Sequence, residues 1–216
     1  MVKLTNREVY DSIMLKLDKF GSPYFTEDWV SIIFNESYIE FVNLAAKEFE
    51  QSSKRRADLV NLVKKYSVPA ASVIPYNLLS PDPYLLLMVI SEFAFTCKTT
   101  TNNYKRRVKP ITFDSFGVIS DDPFNAPTDQ FPAYVEYAGA NGKEIHILSK
   151  NTPVTTEVTY IKSPNKIDIS GNPNGVIEMD YPQQIEIIDI AVRKLLQTVE
   201  SPVLMAQHQI EIPKNE

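Results

Sequence analysis

Three aspartates in one turn-rich stretch are the residues best placed for metal chemistry. Asp114, Asp121 and Asp122 lie close together, and paired carboxylates can hold a divalent cation that activates water for hydrolysis. Aspartate in such a stretch more commonly caps a helix or starts a turn, and no partner motif accompanies these three. The favoured interpretation is therefore structural, with Asp114 capping a short helix over FDSFGVIS. A metal-dependent hydrolase is the weakest alternative.

Nucleophilic and zinc chemistry are limited by the single cysteine and the two histidines. Cys97 ends the apolar run YLLLMVISEFAFTC and is expected to be a buried thiol. Neither His146 nor His208 has neighbours that would complete a triad or a zinc site. The segment SGNPNG lacks the spacing of a phosphate-binding loop. We therefore predict a protein that is not an enzyme and that has no cofactor or metal.

The charge balance argues against a surface for tight duplex binding. The net charge is −5 and 44% of the residues are hydrophobic, as in an ordinary folded soluble protein. The basic runs SSKRRADLVNLVKK and NNYKRRVKP predict a solvated helix face and a basic loop or strand edge. No signal peptide and no run of about 18 apolar residues is found. We expect a cytoplasmic setting, or an assembly built in the cytoplasm.

Helical spacing of apolar residues predicts three N-terminal helices and one C-terminal helix. The first begins with a capping box from Thr5 to Glu8 and should end near Gly21. The second begins at Thr26, the third runs through KRRADLVNLVKKY, and the last follows Pro182. The second carries two apolar stripes, so it should be contacted on two sides, either at the centre of a bundle or between subunits. The stripes are Val30, Ile33, Phe34, Phe41, Leu44 and Ala45, and Trp29, Ile32, Ile39, Val42, Ala46 and Phe49.

The middle of the chain is rich in β-forming residues. YLLLMVISEFAFTC favours a strand, with a buried helix as the alternative, and Asn141-Gly142 suits the turn of a hairpin. TTEVTYIKSP predicts another strand, and KIDISGNPNGVIEMD a strand followed by a turn. The element order predicts an α+β fold. In it, an antiparallel β domain, residues 67–182, is inserted into a helical bundle of residues 1–66 and 183–200, and residues 201–216 form a C-terminal arm.

Two segments are candidates for contact with partners. The loop DDPFNAPTDQFP combines prolines, which lower loop entropy before docking, with aromatics that supply contact area. Its candidate interface residues are Pro123, Phe124, Pro127 and Phe131, with packing inside the β domain as the alternative. The arm supplies Val203, Leu204, Met205, Ile210 and Ile212, which can dock on a partner, for instance by strand addition through QIEI. Its alternative is folding back on its own subunit.

Three segments together resemble structural proteins of tailed bacteriophages: DDPFNAPTDQFPAYVEY, TYIKSPNKIDI and YPQQIEIIDIAVRKLLQTVESP. The likeness is to ring, or head-to-tail connector, proteins of the crAss-like phages and covers residues 113–202. Its marks are a strand with a Lys-x-Pro corner and a terminal helix with Glu186 and Asp189 near its start. These are features of a structural frame rather than of a catalytic site.

The resemblance implies a virion protein in the portal–tail connector, assembled in the host cytoplasm without membrane contact. Such proteins form homo-oligomeric rings, usually of twelve copies, that join the portal protein to neighbouring tail or ring proteins. The ring extends the DNA channel and lets DNA pass without sequence-specific binding. In the family, the C-terminal arm reaches the portal or a neighbouring subunit. A receptor- or glycan-binding virion module is the main alternative, which exposed aromatics on the β domain would favour.

Overall fold

Helices and strands both occur in the described chain, which confirms the predicted mixture. A computed structural model describes residues 3–18, 24–97, 100–122, 124–139 and 142–199. The helices are α1 (Asn6–Leu17), α2 (Glu27–Lys47), α3 (Ser53–Leu59), α4 (Phe113–Asp121) and α5 (Tyr181–Val199). The strands are β1 (Val63–Pro69), β2 (Val73–Pro75), β3 (Pro83–Cys97), β4 (Thr100–Pro110), β5 (Ala133–Gly139), β6 (Gly142–Leu148) and β7 (Thr155–Lys162).

The chain forms two compact units. The helical unit combines the residues up to Leu62 with those from Pro164 onward, and the β unit spans Val63–Ser163. The β unit is contiguous and interrupts the helical unit in the sequence. The borders expected from the sequence, after residues 66 and 182, lie later than these two.

Helix α1 begins with the predicted capping box. Thr5 Oγ1 accepts from the Glu8 N–H at 3.2 Å, and the Glu8 carboxylate accepts from the Thr5 N–H at 2.8 Å. The second bond is the main reason why the pKa of Glu8 is lowered, because it favours the charged carboxylate. The helix ends at Leu17, with Asp18 in the left-handed conformation as its cap (φ 52°). The predicted end at Gly21 lies outside the described residues.

Helix α5 forms the core of the helical unit with α1 and α2. Its residues Ile187, Ile188, Ala191 and Leu195 are fully buried, as the predicted amphipathic helix requires. Ion pairs flank this core, between Lys16 and Asp189 and, at 2.9 Å, between Lys194 and Glu40. Exposed pairs of this kind contribute little, so burial of the apolar face holds α5 in place.

The third predicted helix is wrong in its second half. Helix α3 ends at Leu59, and Val63 begins β1, which pairs antiparallel with β7 from Val63–Ile161 to Pro69–Thr155. Lysine, present at positions 64 and 65, favours a helix by only a fraction of a kcal/mol per residue. Pairing with a strand distant in the sequence outweighs it.

The strand predicted at KIDIS is also wrong, because residues 164–180 contain no helix or strand apart from an isolated bridge at Val176. A side chain of α2 replaces the missing partner strand. Asn35 Nδ2 donates to the Ile167 carbonyl at 3.0 Å, and Asn35 Oδ1 accepts from the Ile167 N–H at 2.9 Å. The Ile169 N–H likewise donates to Ser31 Oγ at 3.1 Å. Buried backbone groups need partners, and these side chains let Ile167 and Ile169 enter the core.

The seven strands form one sheet in the order β1-β7-β3-β4-β5-β6-β2. Neighbouring strands are antiparallel except β4 and β5, which run parallel where Lys109 and Pro110 meet Ala133 and Tyr134. The prediction of a wholly antiparallel domain is wrong at this pair. A parallel pair requires a long connection, and the segment that contains α4 supplies it.

Two predicted β features are confirmed. β3 is a long strand, as the composition of YLLLMVISEFAFTC favoured. β5 and β6 form a hairpin in which Gly139 lies opposite Gly142, and Gly142 has a φ of +99° that favours glycine. Asn141, proposed for the turn, lies outside the described residues. The buried core of the β unit contains Val68, Ile74, Leu79, Val89, Val108, Tyr134, Ile145, Ile147, Val158 and Tyr160.

Candidate interaction surfaces

Helix α4 and the loop after it carry the most exposed large apolar side chains described in the β unit. Phe113, Val118, Phe124 and Phe131 are 65%, 73%, 94% and 69% exposed, and we call these four residues the α4 surface. Phe113 makes an edge-on contact with Tyr137, with ring centroids 6.3 Å apart. Large apolar side chains with this much exposure are candidates for contact with a partner.

The Asp122 carboxylate fixes the part of the loop that presents Phe124. Its Oδ1 accepts from the Phe124 N–H at 2.8 Å and from the Asn125 N–H at 3.3 Å, and its Oδ2 accepts from Asn125 Nδ2 at 2.6 Å. The pKa of Asp122 is lowered, chiefly by the Asn125 amide and then by the Phe124 N–H, because both favour the charged form. The turn therefore holds Phe124 in solvent through local bonds.

A second set of bonds fixes Phe131. Its N–H donates to the Thr128 carbonyl at 3.0 Å. Between them in the chain, Asp129 accepts from the Asn151 N–H at 2.8 Å and from the Asn151 side-chain amide. The loop is thus tied to the segment before β7. A loop fixed at both turns loses little further entropy on docking.

Replacing Asp122 by alanine is expected to loosen this turn. Without its carboxylate acceptors, the amide protons of Phe124 and Asn125 should exchange about tenfold faster, while the unfolding midpoint stays close to that of the unmodified protein. Hydrogen exchange followed by NMR measures both amides. Asp114→Ala, an exposed aspartate on α4, is the matched control and should leave them unchanged. Equal exchange in Asp122→Ala and the unmodified protein would show that the carboxylate does not hold the loop.

Helix α2 leaves one apolar stripe partly uncovered. The first stripe is buried except for Leu44, which is 46% exposed. In the second stripe, Trp29, Ile32 and Ile39 are 38%, 52% and 38% exposed, whereas Val42 is buried. We call these three residues the α2 stripe. They lie on one side of the helix because the spacings between them are three and seven residues. The first stripe is covered within the helical unit, and contact on the second side of α2 stays a prediction.

The predicted interface residues fall into two groups. Phe124 and Phe131 are exposed and Pro127 is half-buried, so neither phenylalanine packs inside the β unit. Pro123 and the arm residues Val203, Leu204, Met205, Ile210 and Ile212 lie outside the described residues. Their contact with a partner stays a prediction.

Two of the three aspartates, Asp114 and Asp122, have side chains that the structure describes. Asp114 is exposed in the first turn of α4, whose N-cap is Thr112, so the predicted cap was wrong by two residues. Asp122 uses both carboxylate oxygens within its own turn, and the Asp121 side chain is outside the described part. Among the described residues, no group of three or more His, Cys, Asp or Glu side chains could hold a metal ion. No helix in those ranges is long and apolar enough to cross a membrane.

His146 is a cross-strand residue, as predicted, but its partners were missed. Its Nδ1 lies 2.8 Å from the Tyr137 hydroxyl, and its Nε2 lies 3.2 Å from Glu144 Oε2. Tyr137 and Glu144 are directly opposite each other in the hairpin. The signal in the sequence was the alternation in GKEIHIL, which puts Glu144 and His146 on one face. The cluster joins β5 to β6 and has no unpaired nucleophile.

A second cluster lies on the other face of the same hairpin. Glu136 accepts from the Tyr76 hydroxyl at 2.5 Å and from Lys143 Nζ at 2.8 Å. Lys143 also lies 4.7 Å from the centre of the Tyr76 ring. Burial, followed by the bond to Glu136, raises the pKa of Tyr76. Nothing local in the sequence links Tyr76 to Glu136, since the sheet alone brings them together.

Comparison with known proteins adds no identification. No protein-family model matches the chain, and no curated protein matches it.

Proposed function

We propose that this chain is a structural virion protein, one subunit of a ring in the portal–tail connector of a tailed bacteriophage of crAss-like type. One observation carries the proposal. Each compact unit has its own uncovered apolar surface, the α2 stripe in the helical unit and the α4 surface in the β unit. A closed ring uses a heterologous interface, in which each subunit offers different surfaces to its two neighbours.

The polar groups near these surfaces support an interface rather than a reaction. Asp122 and Asp129 hold the loop through bonds to Phe124, Asn125 and Asn151. Carboxylates committed in this way fix a surface for docking and leave no acid–base pair beside a cleft. We propose a structural role for this subunit, without catalytic activity.

The finer architecture follows from the same proposal. Helices α1, α2, α3 and α5 would form a bundle-like body that packs around the ring, and the inserted β unit would face the next tail component. The partners are further copies of this chain, the portal protein and neighbouring tail or ring proteins. A net charge of −5 suits a channel that lets DNA pass without gripping it.

A receptor- or glycan-binding module is the second candidate, because Phe124 and Phe131 are exposed on the β unit. Phenylalanine offers a sugar no polar group, and Asp122 and Asn125, beside Phe124 in the sequence, bond to each other. Sites for small ligands combine apolar walls with a few convergent polar groups. Docking against protein therefore explains this surface better.

Negative-stain images and sedimentation of the purified chain, alone and mixed with the portal protein of the same phage, test the proposal. We expect rings, either free or seated on the portal. A glycan array probed with the same preparation tests the second candidate and should give no specific binding. Specific glycan binding without rings in either preparation would replace the connector with the receptor-binding module.

A further inference from the structure

Strand β4 has a partner on only one side for most of its length. β3 pairs with it from Thr100 to Val108, whereas β5 pairs with it only at Lys109 and Pro110. No other strand of the described residues pairs with the 100–108 stretch. We call this side of β4 the open edge. Such an edge presents backbone N–H and C=O groups that can accept a further strand.

The direction of the backbone shows which residues face the open edge. The Lys109 N–H donates to the Pro132 carbonyl at 2.9 Å and the Ile111 N–H to the Tyr134 carbonyl at 2.9 Å. The backbone N–H and C=O groups of the odd-numbered residues in β4 therefore point away from β3. Because alternate residues direct their backbone groups to opposite neighbours, Asn103 and Lys105 direct theirs toward the open edge. Both residues are exposed.

The side chains of β4 favour an acidic occupant. The segment TTNNYKRRVKP contains four basic residues and no acidic one. One face carries Lys105, whose Nζ lies 2.8 Å from Glu157 on β7. This contact, with one from Lys65, lowers the pKa of Glu157 to about 2. The opposite face carries Arg106, which lies over the Tyr104 ring at 5.1 Å. Like charges disfavour pairing of two β4 edges with each other, whereas an acidic strand meets opposite charge.

The chain itself contains a segment with the matching pattern. Residues 200–216 lie outside the described residues, and between Pro202 and Pro213 they read VLMAQHQIEI. The part QHQIEI alternates Gln207, Gln209 and Glu211 with His208, Ile210 and Ile212, which is the period of a strand. It has no Lys or Arg, and Pro213 gives it a natural end because proline cannot continue a hydrogen-bonded ladder.

We propose that residues 207–212 of one copy add as a strand to the open edge of β4 in a neighbouring copy. This rests on the ring assembly proposed above, which requires copies side by side. A donor segment and an acceptor edge are different surfaces, so the contact is heterologous and can repeat around a ring. In one register Ile210 shares the face of Tyr104, and Glu211 lies on the face of Lys105 and Arg107. That register satisfies the apolar and the acidic side chains together.

Hydrogen exchange on the full-length chain tests the contact. In assembled protein, the amide protons of Asn103 and Lys105 should exchange at least tenfold more slowly than in the Ile210→Pro variant, because proline removes an N–H and interrupts the added strand. Asn215→Pro places proline in the same arm outside the segment, and it should keep the slow exchange. Glu211→Lys should weaken the protection, with a larger effect at low salt.

Cross-linking identifies the source of the added strand. Two full-length preparations with different mass tags are made, one carrying Asn103→Cys and the other Gln209→Cys. Both also carry Cys97→Ser, and they are mixed with a short bis-maleimide. Linked dimers that contain both tags are expected. As the control, a preparation with Lys64→Cys on β1 in place of Asn103→Cys should give far fewer linked dimers. A single chain carrying both Asn103→Cys and Gln209→Cys that links only within itself would overturn the transfer between copies.

The outcomes separate this inference from the proposed function. Rings whose Asn103 and Lys105 amides exchange as fast as in Ile210→Pro would overturn the strand addition and leave the ring intact. Protein that stays monomeric with and without portal, with unprotected β4 amides, would overturn both. Rings with protected amides and links between tags support both.

Discussion

Replacing Ile32 and Ile39 together by glutamate is expected to abolish the proposed ring assembly while the monomer stays folded. The two side chains are 52% and 38% exposed, so a carboxylate remains in water in the monomer. In a ring that covers the α2 stripe, each carboxylate would lose water without gaining a cation. Burying an unpaired charge costs several kcal/mol. The loss should therefore weaken subunit contact by at least about a hundredfold.

Sedimentation velocity over a concentration series, with and without portal protein, measures this loss. Circular dichroism and the unfolding midpoint check that the monomer is folded. Leu44→Glu is the matched control, since Leu44 is 46% exposed on a different side of α2 and should assemble normally. Rings of normal size and stability from the Ile32→Glu Ile39→Glu variant would exclude the α2 stripe from the interface.

Gln184→Leu is expected to cause a large loss of stability for a single substitution. Gln184 is fully buried. Its Oε1 accepts from the Leu4 N–H at 2.9 Å, and its Nε2 donates to the Met179 carbonyl at 2.7 Å. Leucine removes both bonds, and a buried backbone group left without a partner costs about 1–3 kcal/mol, with a smaller cost at the half-buried Leu4. The free energy of unfolding should fall by about 1–4 kcal/mol, a large part of the total for a domain.

Chemical denaturation monitored by circular dichroism gives this free energy. Gln197→Leu makes the same change at an exposed position of α5 and should stay within about 0.5 kcal/mol of the unmodified protein. If Gln184→Leu and Gln197→Leu have the same free energy of unfolding, the two hydrogen bonds of Gln184 make no net contribution to stability. The pair also tests whether residues 164–180 are held by side-chain amides, as the contacts of Asn35 with Ile167 indicate.

Features that depend on neighbouring residues could be predicted from the sequence. The Thr5–Glu8 capping box and the β5–β6 hairpin each lie within a few positions, and both are present. The end of the third helix could not be predicted, because it depends on pairing between β1 and β7, which lie far apart in the sequence. The same holds for KIDIS, where Asn35, on a distant helix, replaces a strand partner. Local propensity is a weak guide wherever such distant contacts decide.

The candidate surfaces could be predicted in part. The proline and aromatic content of the loop pointed to Phe124 and Phe131, and aspartate in a turn was expected at Asp122. The tie from Asp129 to Asn151 could not be predicted, because it joins segments separated by strands β5 and β6. The open edge of β4 was equally hidden, since the basic run showed only that a strand edge was plausible there. The order of strands depends on the pairing of the whole sheet.

The two strands that join the β unit to the rest of the chain are direct neighbours. Val63, at the start of β1, lies opposite Ile161, near the end of β7, and paired strands are about 5 Å apart. The first and last strands of the β unit are therefore next to each other. If the unit were removed, a short turn could join the two flanking parts of the chain. Evolution can exchange such a unit for another while the helical frame is kept.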